Sequence, residues 1–166
     1  MTQWANRPAE ERALLNPTFC SCMLWQAADG YAGSSGVLLP FEMSFLVLPI
    51  VLHRETRESL PKVVRTSLAV WIEQNPLARP RIGDRARALV RFTKEAIMYG
   101  GLHGLLEVGS DGGIGAKQEW KKRIAGDLKD SSDEVRLCAK RAAFVGRWLA
   151  GSGTPDTVMA ILGVRP

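Results

Sequence analysis

"PFEMSFLVLPIVLHRETRESLP", residues 40–61, decides how this chain is read. From Phe45 to Leu52 the stretch is apolar without a break; at His53 it turns abruptly into a charged segment with Arg54, Glu55, Arg57 and Glu58. A run of this length suits a buried strand or a buried helix, and periodicity does not separate the two. Met, Leu and Phe are spread through it and it leads straight into helical spacing, so a helix is expected. Pro49 is then a kink inside that helix or the joint between two shorter ones. The wider apolar run from Val37 to Leu52 is interrupted by Pro40, Glu42 and Pro49. It falls short of the ~20 residues a bilayer crossing needs, so it reads as core.

Helical spacing continues on both sides. In "RPAEERALLNP", Pro8 sits where a first helical turn tolerates it, Glu10 and Glu11 lie near the positive helix end, and Asn16-Pro17 is a stop. Pro17 opens the next helix, with Phe19, Met23 and Ala27 on one stripe and Cys20, Leu24 and Ala28 beside it. "GYAGSSG", from Gly30, is expected to be a flexible loop. "SLPKVVRTSLAVWIEQNP" reads as an amphipathic helix with Val64, Leu68, Trp71 and Ile72 inward. One further helix carries Ile82, Ala86, Leu89 and Val90, and Thr93 is read as the N-cap of another containing Ala96, Ile97 and Tyr99. "LLEVGSDGGIGA" then has the form of a small β-hairpin.

Three helices followed by a hairpin is the order of a winged helix-turn-helix. The expected fold class is therefore mainly α (α+β): a helical domain with a winged helix-turn-helix-like unit and one small β-hairpin. Residues 1–116 form the helical domain, with the winged-helix-like segment at about 60–116. Residues 117–166 are a charged linker or short helix around Trp120 and C-terminal helices packed on the same domain. Ser132 is expected to cap a helix with the stripe Val135, Cys138, Ala142, Val145 and Leu149. Thr154 and Pro155 begin the last one.

Composition limits the function. The 166 residues have an ordinary globular balance, 46% apolar and 23% charged, with a net charge of +5. The charge is uneven. Residues 1–50 set Arg7 and Arg12 against Glu10, Glu11, Asp29 and Glu42, whereas residues 51–100 hold ten basic side chains against five acidic ones. The cluster Arg79, Arg81, Arg85, Arg87, Arg91 and Lys94 is the candidate DNA-binding set. Three cysteines, Cys20, Cys22 and Cys138, contain no CxxC pair and suit buried thiols in a reducing cytoplasm. The polar N-terminal "MTQWANRPAEER" lacks the pattern of a secretory signal, so a soluble cytoplasmic protein is expected.

Chemistry is hard to find. There is no GxxxxGK[ST] loop, and "GSDGGIG" lacks the lysine and following amphipathic helix that phosphate cradling requires. The two histidines, His53 and His103, lie 50 residues apart with no second histidine or cysteine at helical spacing. Cys20 and Cys22 lie among apolar residues, which make a thiol inert. No catalytic residues, metal or cofactor are expected.

Particular residues also resemble a family. Trp4 with Arg7-Pro8, "LNPTFC" from Leu15 to Cys20, and "PF…FLVLPIVLHRETRESLP" from Pro40 to Pro61 are similar to the middle component of bacterial three-component ABC ATPase systems. A looser likeness runs through "RARALVRFTKEAIMYG" to about Gly100, the first 60% of the chain. The resemblance implies a gene between an SMC-like ABC ATPase and a variable third protein, acting in defence against phage or other invading DNA, with relatives among Lamassu-type systems. It implies an adaptor between the ATPase and an effector subunit. DNA contact through the complex, and no membrane partner, are expected as well. The resemblance carries over no active site. The alternative is a DNA-binding winged-helix regulator or sensor. Trp4, Arg7, His53, Arg54 and Arg57 are the candidate partner-binding residues. Glu10 or Glu11 is expected to pair with Arg54 or Arg57.

Overall fold

The computed structural model describes residues 6–164, apart from the side chains of Glu10, Glu11 and Leu14. Trp4 lies outside them. Helix α1 is Ala9–Leu14, and α2 is Pro17–Ser35. Pro17 occupies the first position of α2, where its missing N–H costs nothing. The Asn16 side chain accepts the Thr18 N–H at 2.8 Å.

The loop expected from Gly30 is helix instead; α2 runs on to Ser35 and ends at Gly36, whose φ of 75° only glycine adopts freely. The reason is packing. A Cβ on Gly30 would stand 2.4 Å from the Ala143 carbonyl oxygen, and one on Gly146 would stand 2.0 Å from that of Ala27. These glycines let the backbones of α2 and α8 (Asp133–Ala150) touch, and α2 packs along α8 more than any other element pair does.

Residues Phe41–Val51 form α3, so the helical reading of the opening stretch holds, with Pro49 inside the helix. Helix α4, Arg54–Ser59, follows almost at once. The amphipathic helix expected from Ser59 is shorter than its pattern. Only Leu68–Gln74 is helical (α5), capped by Ser67, with Leu68 and Trp71 buried but Val64 exposed. The preceding backbone is held by side chains rather than by a helix. The Trp71 indole donates to the Ser59 carbonyl at 2.7 Å, and the Trp148 indole donates to that of Thr66 at 2.7 Å. The two rings meet edge to face, 5.3 Å apart.

A single helix, α6, spans Ala78–Leu102 where two were expected. Thr93 is buried in its middle and caps nothing. The helix-turn-helix order therefore does not arise at that point, and a winged helix is not shown. Strands β1 (Leu106–Val108) and β2 (Ile114–Ala116) make the expected antiparallel hairpin, Leu106 opposite Ala116, turning through Gly112 at φ 81°. Leu39 adds a bridge to Ile114. A 3-10 turn at Gln118–Trp120 leads into α7 (Lys121–Lys129). Helix α8 is capped by Ser132, and α9 (Pro155–Leu162) by Thr154, as expected.

The chain is thus mainly α with one small hairpin. Helix α2 lies between α8 and α6; α3 packs on α6, and α9 closes against α6, α3 and α5. Among the described residues no helix is long and apolar enough to cross a membrane.

A candidate docking groove at the end of helix α3

Helix α3 ends inside the protein, and that creates a problem. Its last carbonyls have no intrahelical donor, and a buried carbonyl left alone costs ~1–3 kcal/mol. Exposed helices solve this with water, and many end on glycine; here two arginines do it. Arg57 donates Nη1–H to the Val51 carbonyl at 2.7 Å, and Arg85, from α6, donates Nε–H to that of Pro49 at 3.2 Å. Their positive charges also oppose the negative end of the helix dipole.

His53 joins the same cluster as the N-cap of α4. Its Nδ1 accepts the Thr56 N–H at 3.3 Å and faces Thr56 Oγ1 at 2.9 Å. That hydroxyl accepts from Arg85 Nη2 at 2.8 Å, so its own proton is free to point at the imidazole. Burial, followed by the Arg85 charge, holds the His53 pKa below its ordinary value. A neutral ring is what an accepting Nδ1 requires.

Arg57 is only 2% exposed and its second arm reaches Glu134 at the start of α8, a carboxylate with 63% of its side chain exposed. Its Nε has no hydrogen-bond partner. Beside these groups opens a groove of about 680 Å³, lined by Leu15, Phe19, Leu48, Leu52, Leu89 and Val135 as well as His53, Arg57, Arg85 and Glu134. The Cys138 thiol also lines it and is pushed up in pKa, chiefly by burial. Cys20 is pushed up to about 12 by burial and then by the Glu95 charge. Protonated thiols are poor nucleophiles. What the groove offers is apolar contact with cationic side chains at one end.

The other candidate residues scatter. Arg7 is buried on α6, making a two-armed pair with Glu95 at 2.8 and 2.5 Å, with its guanidinium 5.4 Å from the Phe92 ring. It anchors the N-terminal segment. Arg54 is exposed and pairs with Glu58 one turn along. The described carboxylate partner of Arg57 is Glu134, while the Glu10 and Glu11 side chains lie outside the description. On α6, Arg79 donates to the Ala160 carbonyl, Arg81 pairs with Glu55, and Arg87 pairs with Asp84. Arg91 lies 4.5 Å over Phe92, and Arg87 and Lys94 line a second, smaller cleft with Phe41, Phe45 and Val90.

Nothing in the sequence singles out Glu95 or Glu134, and charge alone reads Arg85 as a DNA contact. Glu134 is 77 positions from Arg57, and nothing local marks the pair. One signal existed: a buried helix ending without glycine demands hydrogen-bond donors from elsewhere.

The described residues thus form a mainly helical scaffold with an open apolar groove edged by arginines. A family model, MC3, described as ABC-three component (ABC-3C) system Middle Component 3, matches residues 4–166. The chain belongs to that family, and the match extends through the C-terminal helices that the sequence resemblance left out. No curated protein and no solved structure matches it.

Proposed function

We propose that this protein is a non-enzymatic adaptor that links an SMC-like ABC ATPase to an effector protein in a bacterial anti-phage or anti-plasmid defence complex. The observation that carries this reading is membership, over nearly the whole chain, in a family of middle components of a multi-component ABC system. The open groove and the inert buried thiols support it, as does a family that is not a known enzyme family. Trp4, Arg7, His53, Arg54 and Arg57 stay the proposed partner-binding set, with Arg7 and Arg57 acting by holding the surface in shape.

Co-expression of the ATPase, the effector and this chain tests the reading. The three are expected to co-elute at a fixed ratio, and the ATPase and effector to separate when this chain is omitted. An ATPase–effector complex that forms equally well without it would remove the adaptor role.

One observation favours direct DNA contact as a second reading. Arg87, Arg91 and Lys94 recur at helical spacing on α6 and all three are exposed. Binding through them would weaken steeply with salt, because counterions are released from DNA; apolar docking in the groove would change little.

A further inference from the structure

We infer that the groove at the end of α3 receives an apolar segment of a partner protein that carries one Asp or Glu side chain, its carboxylate seated against Arg85. This rests on the adaptor reading and says which surface does the work.

Three observations lead to it. The first is the lining. Leu15, Phe19, Leu52, Leu89 and Val135 are each half-buried and come from four parts of the fold, so they form a continuous apolar wall still open to solvent. A groove of about 680 Å³ has room for several side chains, within the ~300–1,000 Å³ usual for binding sites. The second is the donor account of Arg85. It is half-buried and lines the groove; its Nε goes to the Pro49 carbonyl and its Nη2 to Thr56, and its Nη1 makes no hydrogen bond among the described residues. The third is charge. Arg57 and Arg85 face the groove, His53 beside them is held toward its neutral form, and the carboxylate on the wall is Glu134, mostly exposed and already engaged with Arg57.

A guanidinium with a spare donor beside apolar walls matches a carboxylate borne on an apolar segment. It does not match a phosphate, whose multiple charges would be stripped of water against leucine and phenylalanine. The open side favours a length of protein chain over an enclosed small molecule.

Photo-crosslinking in the co-expressed complex provides the test, with p-benzoylphenylalanine in place of Leu52 or, separately, Val135. Both positions are expected to capture the same partner, at an apolar segment containing an Asp or Glu. Replacing that partner acid by its amide, which leaves this chain untouched, is expected to lower crosslink yield about tenfold. If this chain fails to co-purify with either partner, the adaptor reading falls and this inference with it. If the complex forms but the two positions stay silent, or capture a segment without a carboxylate, only the groove assignment falls. The same holds if mass spectrometry finds a fatty acid or other small carboxylate in the groove.

Discussion

The α2–α8 seam and the end of α3 are both buried, and they are built by opposite means. Along the seam the side chains nearly vanish: Ala27 and Gly30 of α2 meet Ala143 and Gly146 of α8, backbone against backbone. At the end of α3 the side chains are long and charged, and Arg57, Arg85 and His53 fill the space between three helices with hydrogen bonds. The seam is satisfied by itself and leaves no room for a visitor. The arginine junction satisfies its carbonyls from outside the helix and, among the described residues, leaves Arg85 Nη1 without a hydrogen bond beside an open groove. Close packing fixes the shape, and the less complete region is the one left open to solvent.

The seam breaks most readily. Gly146→Ala puts a methyl group into the Ala27 carbonyl, with backbone on both sides and no flexible side chain to yield. The expected loss is about 3 kcal/mol of folding stability, at the upper end for overpacking. Chemical denaturation measures it; a loss below about 1 kcal/mol would mean that the helices can slide apart cheaply.

At the junction Arg57→Ala is expected to cost about 2 kcal/mol, because the Val51 carbonyl is left buried without its donor. The cost stays below that of a fully buried ion pair, since Glu134 returns to water. Arg57→Lys is expected to recover only part of it, a single ammonium being unable to span both Val51 and Glu134. An unchanged melting temperature in Arg57→Ala would remove the capping role.

His53 makes a smaller and pH-dependent contribution. Loss of its cap in His53→Ala is expected to cost ~1 kcal/mol at pH 8. Its folded pKa lies below the unfolded value, so the contribution is fully present above about pH 6.5 and is lost as pH falls through the folded pKa. Stability curves of wild type and His53→Ala should therefore converge on acidification from pH 8 to pH 5. Parallel curves would show that the ring titrates as it does in water.

How much of this the sequence disclosed follows the same division. Caps and stops are local chemistry, so Pro17, Ser132 and Thr154 were legible as helix starts and the hairpin as a hairpin. The glycines of "GYAGSSG" looked like a loop because the residue that explains Gly30, Ala143, lies far along the chain. Thr93 looked like a cap for a related reason: a threonine buried in mid-helix reads the same as one that begins it. The opening stretch disclosed a helix and the place where it stops. Which residues answer its unpaired carbonyls depended on α6 and α8, and charge alone had sent Arg85 elsewhere.

Gly33 allows the sharpest version of the comparison, because it is the same residue type on the same helix as Gly30. It is three positions further along α2, exposed, and a Cβ there would meet nothing within 4 Å. At Gly30 the alanine methyl would strike the Ala143 carbonyl, whereas at Gly33 it would only narrow the freedom of the unfolded chain and improve helix propensity. Gly33→Ala is accordingly expected to raise stability by ~0.5–1 kcal/mol, a small effect opposite in sign to that of Gly30→Ala. Both variants can be read by denaturant midpoint with unchanged slope. If both lower stability to a similar degree, the end of α2 needs glycine for its backbone, as the loop expectation had it. If only Gly30→Ala does, glycine is required there by the helix lying across it.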